Sequence, residues 1–153
     1  HGIYSAYSTA VAPHGSISYI NETSASLHPI ISLVEERQAK KFGKVSYPAP
    51  RLSNETMEYY TSAYDISMID LINVYATAQK HIDQGMSLTL FLRSEIPAGL
   101  YPWLPDGGKF TTSEVTLLSH YAWKKGIKTI YYVRTYTEDE GEVGVSTCES
   151  CVI

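Results

Sequence analysis

The sequence predicts an α/β fold, and three stretches carry that expectation. Residues 87–93 (SLTLFLR) set Leu88, Leu90 and Leu92 at every second position, the period of a strand. Residues 111–126 carry Thr111 and Glu114 at capping-box spacing, then Val115, Leu118 and Ala122 on one helical face, with Gly126 as the stop. Residues 127–136 (IKTIYYVRTY) are rich in β-branched and aromatic side chains and predict a second strand. Strand, helix and strand in that order predict a right-handed crossover between parallel strands.

The remaining elements follow from shorter signals. Residues 7–13 (YSTAVAP) have the small and β-branched character of a short buried strand, broken by Pro13-His14-Gly15. Ser16 is placed to cap a short helix through Ile17 and Ile20, and Pro29 closes that region. Residues 35–53 are polar and hold Pro48 and Pro50, which predicts a loop with some extended structure. Asn54 is placed to cap a helix holding Met57, Tyr60 and Tyr64. Ser67 and Asp70 open a stronger helix whose Ile69, Ile72 and Ala76 share a face, with Gly85 beyond its end. Residues 94–110 form a long loop with Trp103 as a surface anchor or part of a lid. Residues 1–136 are expected to be one folded unit. Residues 137–153, with five acidic residues, are expected to be a mobile tail.

Composition limits the function. Hydrophobic residues make up 44% and charged residues 18% of 153 residues, a balance that buries a core. The net charge is −4 and no basic stripe exists, which argues against nucleic acid as partner. No apolar run reaches the length of a membrane helix, and no secretory leader opens the chain at His1, so a cytoplasmic setting is expected and no membrane partner.

Three constellations could carry chemistry. In residues 12–18 (APHGSIS) a strand runs through a glycine turn into a helix start. Free N–H groups there, with the Ser16 and Ser18 hydroxyls, suit a phosphate; the plain alternative is an empty strand–helix turn. Tyr131 and Tyr132 are adjacent in the last strand. They are either packing residues or a redox relay, and since neighbours in a regular strand point to opposite faces, a stacked pair requires distorted backbone. Cys148 and Cys151 sit at the spacing of an exchangeable dithiol on the acidic tail. Half of a zinc site is the competing reading, but none of the five histidines pairs with another at helical spacing, so no metal is expected in this chain.

Taken together these stretches resemble the C-terminal segment of the large subunit of class I ribonucleotide reductases. Residues 7–21 (YSTAVAPHGSISYIN) look like the family's substrate-phosphate loop, and residues 81–92 (HIDQGMSLTLFL) are similar to its helix-to-strand passage. Residues 121–134 (YAWKKGIKTIYYVR) are the most specific match and residues 148–153 (CESCVI) resemble the family's end, while the CESC ending and the SLTLFLR strand of residues 87–93 look more like class Ib than class Ia. The resemblance implies the C-terminal portion of a ten-stranded α/β barrel with a flexible tail. It implies that Pro13, His14, Gly15, Ser16 and Ile17 hold the diphosphate of a ribonucleoside diphosphate. It implies that Tyr131 and Tyr132 relay a radical from a small subunit that holds a dimetal–tyrosyl radical centre. Cys148 and Cys151 would reduce the active-site disulfide and be reduced in turn by a thioredoxin or glutaredoxin-like protein. A second copy of the large subunit is implied as a partner, and allosteric nucleotides would bind upstream.

Two departures matter. The family's thiyl-forming and reducing cysteines have no counterpart before Cys148, so this polypeptide alone is expected to be inactive. His14 stands where the family usually has threonine, so imidazole would replace a hydroxyl. Rival readings are a small independent thiol–disulfide carrier and a nucleotide-phosphate-binding module. A phosphate-holding His14 predicts substrate affinity in the whole enzyme that changes between about pH 5.5 and pH 8; a flat titration counts against that role.

Overall fold

A computed structural model describes residues 2, 4–39, 43–137 and 141–142. Cys148 and Cys151 lie outside them. The first element is a single helical turn, α1 (Ile17–Ile20). Strands β1 (Val34–Ala39) and β2 (Gly43–Pro48) follow as an antiparallel hairpin, with Val34 opposite Pro48 and Ala39 opposite Gly43. Helix α2 (Met68–Gln79) leads to β3 (Leu88–Arg93), helix α3 (Thr112–Lys124) and β4 (Ile130–Thr137). Strands β3 and β4 are parallel, so the expected strand–helix–strand unit is present, and β5 (Gly141–Glu142) adds antiparallel to β4.

The parallel strand β3 explains where the core sits. Leu88 to Leu92 are buried on both faces, not only at the alternate leucines, as a strand covered on two sides requires. Helix α2 buries Leu71, Ile72, Tyr75 and Ala76 against it, and α3 adds Leu118 and Ala122. Ile72 and Ala76 of the expected α2 face are buried, while Ile69 is only partly buried and Leu71 and Tyr75 extend the buried stripe.

Local signals account for most helix ends. Thr111 and Glu114 close a full capping box at α3. Gly126 takes φ +84° just past its end, the left-handed conformation a glycine cap supplies. At α2 only half the expected box forms. The Ser67 hydroxyl accepts from the Ile69 N–H at 3.3 Å, while Asp70, one methylene shorter than glutamate, returns no bond. Gly85 serves another purpose than stopping α2, which ends at Gln79. A Cβ on Gly85 would meet Thr129 Cγ2 at 2.9 Å, so glycine permits close approach to the segment entering β4.

Other expectations are corrected. Residues 7–13 form no strand, and residues 7–10 are exposed. Their polar groups bond to the turn after α2 instead of to a neighbouring strand: Ser8 and Thr9 N–H donate to the Asp83 carboxylate at 2.9 and 3.2 Å. The polar stretch at residues 35–53 is largely the β1–β2 hairpin, since cross-strand pairing satisfies its backbone. Asn54 caps nothing. Ser53 and Thr56 bond each other's N–H groups, and two 3₁₀ turns, Met57–Tyr59 and Ala63–Asp65, replace the expected helix. Thr137 belongs to β4 and pairs with Gly141, so ordered pairing extends past the expected boundary at residue 136.

The long loop is tied down by its own backbone. Ile96 N–H donates to Gly108 O at 2.7 Å and Gly107 N–H to Ile96 O at 3.0 Å. Tyr101 is buried and its hydroxyl accepts from the Met68 N–H at 3.0 Å, while Trp103 packs edge-on against Tyr101 and stays 54% exposed. Replacing the buried Ile72 with alanine is expected to lower stability by about 2–5 kcal/mol, and replacing the half-exposed Val74 by under about 0.5 kcal/mol, as read by urea unfolding of the two variants.

Candidate functional site

The β3–β4 ladder breaks register at one place. Leu88 pairs with Ile130, and the next residue, Thr89, pairs with Tyr132, so Tyr131 is an extra residue on β4. A bulge of this kind re-aims a side chain that a regular strand would send to the opposite face. The two phenol rings consequently lie with centroids 4.0 Å apart and planes at 57°, and the Tyr132 hydroxyl donates to the Tyr131 hydroxyl at 3.2 Å. Tyr131 is 52% exposed and Tyr132 half-buried. The distortion that a stacked pair requires is thus present.

Both tyrosines line a cleft of about 410 Å³. Pro13 and Gly15 of the glycine turn line the same cleft, so residues more than a hundred positions apart in the chain meet around one space. His14, Ser16 and Ile17 are exposed and lie outside the lining. His14 takes φ +54°, a left-handed conformation uncommon for a side-chain-bearing residue but tolerated by histidine better than by β-branched residues. Ser16 precedes α1 in a helical conformation and makes no capping bond. Ser18 is buried and donates its hydroxyl to Gly15 O at 2.9 Å, holding the turn shut. The far end of the turn is held by Ser26, whose N–H donates to Pro13 O at 3.1 Å.

The hairpin supplies the opposite wall. Tyr19 stacks on Tyr47 at 4.3 Å and donates its hydroxyl to the Glu35 carboxylate at 2.8 Å. Burial first, and then that bond, push the Tyr19 phenol above its ordinary value. Arg37 pairs with Glu35 at 3.3 Å and lies 4.8 Å from the centre of the Tyr19 ring. Arg37, Arg51 and Arg134 line the cleft against Glu22 and Glu35, which leaves a positive balance for an anion. His28 also lines it, packed edge-on to Phe91 at 4.8 Å, and burial pushes its imidazole below the ordinary value. Sequence reasoning missed these residues, because they become neighbours only through the hairpin. Among the described residues no three His, Cys, Asp or Glu side chains converge to hold a metal ion, and no helix is long and apolar enough to cross a membrane.

A glycine turn and a hydrogen-bonded tyrosine pair thus meet around one cleft beside a parallel β-unit of an α/β fold. The model of the ribonucleotide reductase barrel domain matches residues 1–133, and the chain belongs to that family. It is 39% identical over 153 residues to the ribonucleoside-diphosphate reductase subunit alpha of Bacillus subtilis, covering 100% of this chain and 19% of that protein. The subunits of the same name from Mycoplasma genitalium and Helicobacter pylori are 35% and 37% identical, over 99% and 95% of this chain and 20% and 17% of their own lengths. The chain therefore spans about a fifth of the curated relatives it matches.

One carboxylate outside the cleft holds the segment that leads into the glycine turn. Asp83 accepts from the Ser8 hydroxyl at 2.7 Å and from the Ser8 and Thr9 N–H groups. The Ser8 hydroxyl first, then these N–H donors, hold its pKa at about 2 against an ordinary 3.8. A depressed folded-state value stabilises the fold above the ordinary one and ceases to do so as pH falls through about 2. The stability gap between the parent chain and Asp83→Asn, read by urea unfolding across a pH series, is therefore expected to close between about pH 4 and pH 2.

Proposed function

We propose that this chain is the C-terminal part of a class Ib ribonucleoside-diphosphate reductase large subunit and supplies its phosphate loop, its radical relay and its tail dithiol. The observation that carries the reading is the meeting of the glycine turn and the hydrogen-bonded tyrosine pair around one cleft of positive balance. The family's names for full-length relatives, ribonucleoside-diphosphate reductase subunit alpha, give the reaction class. The substrate is then a ribonucleoside diphosphate, and the product the 2'-deoxyribonucleotide used for DNA synthesis. The β3–α3–β4 unit forms closing strands and a helix of a ten-stranded barrel completed by the upstream chain.

In this reading the turn holds the diphosphate with main-chain N–H groups. His14 is exposed and outside the cleft lining, so replacing it is expected to leave the pH profile of affinity unchanged. The relay works across the 3.2 Å hydroxyl contact. When the Tyr131 oxygen is a neutral radical, one electron and the bonding proton pass from Tyr132 to it. Tyr131 becomes the closed-shell phenol and Tyr132 the radical, and the reverse transfer runs on return. A small subunit with a dimetal–tyrosyl centre supplies the oxidising equivalent, and an upstream cysteine receives it. Cys148 and Cys151 then reduce the active-site disulfide by thiol exchange, and a thioredoxin or glutaredoxin-like protein restores them. Pairing with a second large subunit, allosteric nucleotides bound upstream and a cytoplasmic location complete the proposal. A freestanding dithiol carrier would need neither the cleft nor the paired phenols.

In the whole enzyme with its small subunit, Tyr131→Phe and Tyr132→Phe are each expected to abolish turnover while leaving diphosphate affinity unchanged, because phenylalanine keeps the ring and loses the transferable proton. Turnover retained by either variant contradicts the relay. Cys148→Ser with Cys151→Ser is expected to permit a single turnover and to stop repeated turnover driven by thioredoxin, as counted by product per enzyme in quenched assays.

A further inference from the structure

Among the described residues, the densest polar junction between distant parts of the chain lies beside the cleft, in the turn between α2 and β3. Asp83 Oδ2 accepts three bonds from Ser8 and Thr9. Two bonds return: Asp83 N–H donates to Thr9 Oγ1 at 2.9 Å, and Gln84 N–H to Thr9 O at 3.2 Å. On its other side the turn meets the entry to β4. Lys128 donates to the Asp83 carbonyl and to the Ile82 carbonyl, the latter at 3.4 Å, and Gly85 lies close against Thr129. Thr9 lies four residues before Pro13, and Lys128 three before Tyr131.

The two sides depend on different atoms. The buried Gln79 amide donates to Ile82 O at 2.9 Å and to Gln84 O at 2.8 Å, so the turn keeps its shape without the Asp83 side chain. Lys128 likewise binds main-chain carbonyls. The carboxylate's own bonds all go to Ser8 and Thr9. Residues 7–10 are exposed, and no apolar burial holds them in its place. A carboxylate that collects several N–H and O–H donors is among the stronger polar anchors open to an exposed segment.

We propose that Asp83 is a positioning residue for the diphosphate: it fixes the segment leading into the glycine turn and so sets where the phosphates sit relative to Tyr131 and Tyr132. This rests on reading residues 13–17 as the phosphate loop. Because the tyrosine strand keeps its own anchor, the loss falls on substrate affinity and not on the chemical step.

The test uses the full-length large subunit carrying this segment, with its small subunit, and the variants Asp83→Ala and Asp83→Asn. Amide hydrogen exchange across residues 8–18 is expected to rise about tenfold in Asp83→Ala, KM for the diphosphate to rise about tenfold, and kcat to stay within about twofold. Asp83→Asn, which keeps one acceptor oxygen, falls between parent and alanine. Unchanged exchange at residues 8–18 overturns the proposal. So does exchange that rises equally through β3 and β4 with kcat falling in step, since that marks a general loss of structure. Exchange raised only at residues 8–18 with KM unmoved overturns the phosphate-loop reading beneath it, and leaves Asp83 anchoring a segment that does not touch substrate.

Discussion

The parallel ladder between β3 and β4 has one residue too many on β4, and the candidate site depends on that excess. From Leu88 to Thr89 the chain advances one position while its partner advances two, from Ile130 to Tyr132. A regular β4 would separate the two phenols across the sheet. With Tyr131 displaced, they share a hydrogen bond and face one cleft. The surrounding core makes the displacement durable. β3 is buried on both faces, with α2 packed against it and Phe91 packed against Tyr64 and His28, so its register is fixed by packing and the irregularity falls on its half-exposed neighbour.

The cleft itself is assembled from pieces with little in common in sequence. A glycine turn held by Ser18 and Ser26 forms one side, a hairpin carrying Tyr19, Glu35, Arg37 and Tyr47 forms another, and the tyrosine strand closes it. Among the described residues, four that bear a side chain take positive φ, His14, Glu22, Ser26 and Arg51, and all lie in or beside these pieces. Such conformations cost about 1–3 kcal/mol each and persist where surrounding bonds fix them, a pattern that gathers at ligand sites. Asp83 then joins the turn's leading segment to the passage that enters β3, so loop and strand share one frame.

Much of the core was legible before any coordinates. The strand period at Leu88, Leu90 and Leu92, the capping box of Thr111 and Glu114, and the glycine at Gly126 all report on local backbone, and local backbone is what sequence patterns encode. The hairpin was not legible, because its residues are polar and its strands are stabilised by pairing with each other. Residues 7–13 look like a strand by composition, yet Ser8 and Thr9 donate to one carboxylate 75 and 74 residues away. The site was legible in part. Tyr131, Tyr132 and the glycine turn could be named from their residue types, and the need for distorted backbone followed from strand geometry. That Tyr19, His28, Arg37 and Arg134 share the cleft depends on tertiary contacts that no short pattern carries.

The central claim is that one cleft holds the substrate's phosphates on the glycine turn and the tyrosine pair together beside it. An experimental structure of the complete large subunit with a ribonucleoside diphosphate bound tests it most directly. A shared cleft requires phosphate oxygens against the main chain of Pro13 to Ile17, with the Tyr131 and Tyr132 hydroxyls still near 3.2 Å apart. Phosphates bound elsewhere, or a regular β4 with the two rings on opposite faces, would contradict it.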